Sequence, residues 1–144
     1  MINKRIDAIF IDHGGTLRVF EKDEAFENSI RDQIVELIEP VSPDNLFKQL
    51  EERYKIYKQR EHGTLLQDSG VEIWTRWMLP DYPADKIAPL ANQLTRLWRD
   101  HTGRRVLRPG AMQTIIELHR RGYTLGIIAN SISETEIPDW LEAD

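Results

Sequence analysis

The chain has 144 residues, the length of one ordinary domain. Apolar residues make up 40% and charged residues 30%, and the net charge is −5. A real core is therefore possible, and no basic surface for nucleic acid is offered: basic residues are scattered, with Arg104-Arg105 and Arg120-Arg121 as isolated pairs. The lack of cysteine excludes disulfides and thiolate metal sites, and the dispersed His13, His62, His101 and His119 show no metal-ligand spacing. No apolar run approaches the ~20 residues of a membrane span, and M-I-N-K-R-I-D lacks a signal-peptide core, so no membrane partner and a cytoplasmic location are expected.

The first predicted element is a strand. Ala8-Ile9-Phe10-Ile11 is a continuous apolar run between the charges Lys4, Arg5 and Asp7 and the break Gly14-Gly15. Such a run, unlike an alternating one, predicts a parallel strand covered on both faces. From about residue 23 to 100 the period is helical. Phe26, Ile30, Ile34, Leu37 and Ile38 trace one helix face that Pro40 stops. Ser42-Pro43 opens a second helix, Ser as N-cap and Pro at the first helical position, with Phe47, Leu50, Tyr54 and Tyr57 as its stripe.

H-G-T-L-L-Q-D-S-G (62–70) reads as a loop, and a short aromatic helix through Ile73, Trp74, Trp77 and Met78 comes next. After Pro80 and Pro83 the last helix of the group carries Ile87, Leu90, Ala91, Leu94, Leu97 and Trp98. Helices joined this closely predict a small bundle, with Trp74, Trp77 and Trp98 in its core and not as a substrate platform. At Leu107-Arg108-Pro109-Gly110 the character changes. A helix through Met112, Ile115, Ile116 and His119 ends at Gly122, a good C-cap residue, and Leu125-Gly126-Ile127-Ile128 forms a second apolar strand running into Ala129-Asn130-Ser131. The order strand, inserted bundle, helix, strand is an α/β pattern.

The opening I-F-I-D-H-G-G-T-L resembles the first signature of the haloacid dehalogenase superfamily of hydrolases, a buried strand ending in Asp-x-Asp-Gly-Thr in its phosphatases. Asp12 matches the first Asp, and Gly15-Thr16-Leu17 match the tail. Residues 107–131 resemble the second motif, a Pro-Gly-started helix and a strand ending in Ser or Thr, usually followed by Asn. One branch of the superfamily inserts a helical cap just after the first motif. The resemblance thus implies a partial Rossmann-like core of parallel strands (1–18 and 105–144) and an α-helical bundle cap (19–104) that closes over the site, sets specificity and excludes water.

It also implies a chemistry. A carboxylate at the carboxyl end of a parallel strand sits where open α/β sheets bind ligands, and Asp12 would attack a small phosphorylated substrate to give an aspartyl phosphate. Gly14, Gly15, Thr16, Asn130 and Ser131 would bind the phosphate, the glycines letting backbone N–H groups turn toward it. Mg²⁺ would be held by Asp12 and the Gly14 carbonyl. The alternative role for Asp12 is a strand-end cap that stabilises the turn.

The chain departs from the family pattern at three places. Gly14 replaces the second Asp, the general acid/base, and such groups contribute about 10²- to 10⁴-fold. His13 titrates in the right range, but adjacent strand-end side chains point to opposite sides, so it is expected to pack or hydrogen-bond behind the loop. Ala129 takes the place of the second motif's hydroxyl; Ser131 either supplies that oxygen or caps the segment after it. The downstream Lys and acidic metal ligands of the third and fourth motifs have no counterpart, since Asp139, Glu142 and Asp144 come too soon after the second strand and read as surface charge.

The first strand would then expose an unpaired apolar edge. Either the sequence is a fragment of a longer protein, which I-P-D-W-L-E-A-D favours by resembling the start of the next family helix, or a partner such as a second copy pairs with that edge. Two other functions stay open. Halide displacement or cleavage of an activated C–P bond needs no Asp at position 14, and a catalytically weak relative would use the fold for binding or regulation.

Overall fold

The structure, a computed structural model, describes residues 6–39, 42–133 and 135–143. The predicted stop at Pro40, the flanking Lys4 and Arg5, and Asp144 lie outside the described residues. In chain order the elements are β1 (Ala8–Asp12), β2 (Arg18–Glu21), α1 (Glu24–Ile38), α2 (Pro43–Thr64), α3 (Gly70–Glu72), α4 (Ala84–Ile87) and α5 (Ala91–Asp100), then β3 (Arg104–Leu107), α6 (Ala111–Arg120), β4 (Thr124–Ile128) and α7 (Glu136–Ala143). The chain is mixed α/β and forms two compact units, Met1–Glu24 with Gly103–Asn130, and Ala25–Thr102 with Ser131–Asp144.

In the sheet unit β1 pairs in parallel with β4, placing Phe10 opposite Gly126 and Asp12 opposite Ile128. The apolar run predicted cover on both faces; instead exposure alternates along β1, with Phe10 70% and Ile128 63% exposed. The reason is a shortage of covering elements. Among the described residues β1 has β4 as its one strand neighbour, and α6 is the unit's one helix. The ring of Phe10 lies against Gly126, where a Cβ would come within 2.8 Å of it.

A second pair was not predicted: β2 and β3 form an antiparallel ribbon with Arg18 opposite Leu107 and Glu21 opposite Arg104. Gly103 gives this ribbon the same kind of contact. The Phe20 ring packs on it, and a Cβ there would also come within 2.7 Å of the Glu21 carbonyl.

The helical unit holds the apolar core. Ile30, Ile34 and Ile38 of α1 repeat every four residues and are buried, as are Leu46, Leu50 and Tyr57 of α2 and Ala91, Leu94, Leu97 and Trp98 of α5. Ser42 precedes α2 with Pro43 at its start, as predicted. The predicted 62–70 loop is shorter: α2 runs through Thr64 and ends at Leu65, a left-handed residue whose N–H bonds the Glu61 carbonyl at 2.8 Å.

Ser69 and Glu72 then form a reciprocal capping box that starts α3. The helix widens into a π-helical turn over Ile73–Met78, closed by the Leu79 N–H to the Trp74 carbonyl at 2.9 Å. That wide turn buries Ile73, Trp74 and Met78 together. The Trp74 indole N–H donates to the Thr95 hydroxyl at 2.8 Å, and Trp98 meets Trp74 edge-on with ring centres 6.3 Å apart.

His101, after α5, is buried flat against Trp98 at 3.9 Å with its Nδ1 on the Trp98 carbonyl. Residues 131–143 group with this unit, where Asp139 pairs with Arg96 and Glu136 with Arg99. No described helix is long and apolar enough to cross a membrane.

Candidate functional site at the end of β1

Asp12 is the last residue of β1 and is exposed. The chain then folds into a closed turn. The His13 carbonyl accepts from both Leu17 N–H (3.0 Å) and Arg18 N–H (3.1 Å), and Gly15 N–H donates to the Arg18 carbonyl at 2.8 Å. Gly15 has φ +78°, a conformation that glycine adopts without the Cβ penalty. Leu17 and His13 are buried beneath the turn, so His13 packs behind the loop as strand alternation predicts. The Thr16 hydroxyl stands 3.4 Å from Asp12 Oδ2, on the same side of the turn.

The turn is braced from a distant part of the sequence. β3 delivers Arg108, whose backbone N–H donates to the Leu17 carbonyl at 2.8 Å and whose guanidinium Nη2 donates to the Gly15 carbonyl at 2.5 Å. Arg108 itself opens a type II turn. Pro109 supplies the second position, Gly110 the third with φ +83° and ψ −10°, and Ala111 N–H closes on the Arg108 carbonyl at 3.0 Å. Pro-Gly adopts that geometry without strain, and α6 starts directly after it.

The remaining predicted positions separate. Asn130 comes after β4, two residues beyond the residue opposite Asp12, and is exposed at the same end of the sheet. Ser131 belongs to the helical unit. Its hydroxyl lies 2.7 Å from the Glu136 carboxylate and accepts the Ser133 N–H at 3.2 Å, so it organises the entry to α7. Of the loop N–H groups, that of Gly15 is committed to Arg18, while the Gly14 carbonyl takes no part in the turn's hydrogen bonds among the described residues. No cluster of three or more His, Asp or Glu side chains that could hold a metal occurs among the described residues.

Comparisons with family models, with curated proteins and with solved structures gave no match in any of the three. The loop's own chemistry therefore has to carry the functional reading. Its constituents are an exposed carboxylate at the carboxyl end of a parallel strand, a hydroxyl beside it, and a guanidinium bound to the turn. Sequence reasoning missed Arg108. As a helix start, L-R-P-G gives no reason to single out its arginine. The β2–β3 ribbon brings it to the loop, and the short, charged segments R-V-F-E and R-R-V-L announce no pairing.

Proposed function

We propose that the chain is a hydrolase of the haloacid dehalogenase kind, built on a partial Rossmann-like core with an inserted helical cap, and that it acts on a small phosphorylated molecule through Asp12. The observation that carries this reading is the exposed Asp12 carboxylate at the carboxyl end of parallel β1, with Thr16 and the Arg108-braced turn around it. In the reaction an Asp12 oxygen forms a bond to phosphorus as the ester P–O bond breaks, giving an aspartyl phosphate and an alkoxide that takes a proton from water. A second water then cleaves the acyl phosphate, returning Asp12 and releasing inorganic phosphate.

Gly14 offers no side chain to move either proton, which makes this a slow enzyme. Asp12 and the Gly14 carbonyl are hard oxygen donors of the type Mg²⁺ takes, in ones and twos, together with waters and substrate phosphate. Bound there, Mg²⁺ would offset the charge of the phosphate. The missing acid/base group also favours a second reading, in which the site binds a phosphorylated ligand without turning it over.

The test is incubation with Mg²⁺ and p-nitrophenyl phosphate or acetyl phosphate. Slow phosphate release that Asp12→Asn abolishes is expected, and turnover unchanged by Asp12→Asn would overturn the hydrolase. Phosphate binding without release selects the second reading. Chloride release from a 2-haloacid without Mg²⁺ would instead indicate a dehalogenase.

A further inference from the structure

We propose that Arg108 is the residue that neutralises and positions the bound phosphate, a role resting on the reading of the Asp12 turn as a phosphate site. A phosphate beside an aspartate is a like-charge pair, so the site requires a cation to compensate it. The turn itself supplies little. The N–H groups of Gly15, Leu17 and Arg18 are bonded to carbonyls within the turn, and Thr16 contributes a neutral hydroxyl.

Arg108 is exposed, and among the described residues it forms no ion pair with a carboxylate. Its guanidinium carries five N–H donors, of which the Gly15 carbonyl engages one of the two on Nη2. The remaining fork keeps the geometry that suits phosphate oxygens. Its placement is also rigid. The β2–β3 register, the bond from its N–H to the Leu17 carbonyl and the type II turn at Pro109-Gly110 hold the backbone, and the Gly15 contact holds the side chain. The cation is thus preorganised on the loop that carries the nucleophile, although 93 residues separate it from Gly15.

Arg108→Gln can still donate to the Gly15 carbonyl but carries no charge, whereas Arg108→Lys keeps the charge. Binding of inorganic phosphate to the full chain with Mg²⁺, measured by calorimetry, should weaken about tenfold or more in Arg108→Gln and much less in Arg108→Lys, with Tm unchanged in both. KM for p-nitrophenyl phosphate should rise in parallel. Phosphate affinity unchanged in Arg108→Gln overturns the role, as do equal losses in both variants accompanied by a lower Tm, because the residue then only braces the turn.

Asp12→Asn separates this proposal from the reading beneath it. Measured without Mg²⁺, which Asp12 would help to hold, removal of the like charge should tighten phosphate binding, and with Mg²⁺ turnover should be abolished. Tighter binding in Asp12→Asn with no effect of Arg108→Gln defeats Arg108 alone; phosphate binding by none of the variants defeats both.

Discussion

The helical unit and the sheet unit use their residues differently. In the first, Tyr57, Trp74, Leu50, Leu94 and Met78 are sealed from solvent in one continuous apolar cluster. In the second, the buried side chains among the described residues are Leu17, Ala111 and His13, and Phe10 and Ile128 stay in water. Yet the sheet unit carries the exposed carboxylate, the closed turn and the guanidinium. Stability therefore concentrates in one unit and candidate chemistry in the other, and substitutions should separate along that line.

The largest effect should come from completing the turn. Gly14→Asp, combined with Ala129→Thr, is expected to raise phosphatase turnover by about 10²- to 10⁴-fold with little change in Tm, as measured by phosphate release and thermal melting. No gain would assign the turn to binding. The opposite behaviour is expected of Trp74→Ala. Truncating this buried ring, with its contacts to Trp98 and Thr95, should cost about 3–5 kcal/mol in urea unfolding while turnover per folded molecule holds. Loss of turnover in a Trp74 variant that is still folded would break the division.

A smaller effect sharpens it. Burial holds the His101 pKa below the ordinary histidine value, and Arg31 adds to this; the Trp98 carbonyl, Glu51 and Glu27 oppose it. Between that lowered pKa and about 6.5 the unfolded chain binds more protons than the folded one, so stability falls as pH is lowered through this window. A Tm series taken across it should slope downward toward acid, and His101→Gln should flatten the slope. An unaltered slope would remove His101 from the account.

How far the sequence could be read depended on the range of the interactions. Helix faces such as Ile30-Ile34-Ile38 and the α5 stripe depend on residues three or four apart, and they stand where the spacing put them. Asp12, the Gly15 turn and the buried His13 are equally local. The features that escaped depend on pairing or on available cover. R-V-F-E and R-R-V-L become a ribbon only by meeting each other. I-F-I-D would be covered on both faces only if more layers were present. The π-helical turn at Ile73–Met78, which buries Trp74 and Met78, departs from the 3.6-residue period that the sequence pattern assumes. Arg108 escaped for the same reason as the ribbon that carries it.

The two aromatic rings seated on glycines have a consequence for where the carboxylate ends up. Phe10 rests in the gap left at Gly126, and Phe20 in the gap at Gly103. Sliding β1 along β4 by two residues, the smallest shift that keeps each side chain on its face, would bring Phe10 against Thr124 or Ile128 in place of the empty position. In the observed alignment each two-stranded pair thus seats one ring on a glycine, in a unit with few buried side chains. Asp12 stands opposite Ile128, two residues short of Asn130, in the same alignment that seats the Phe10 ring over position 126, where a hydrogen atom leaves it room.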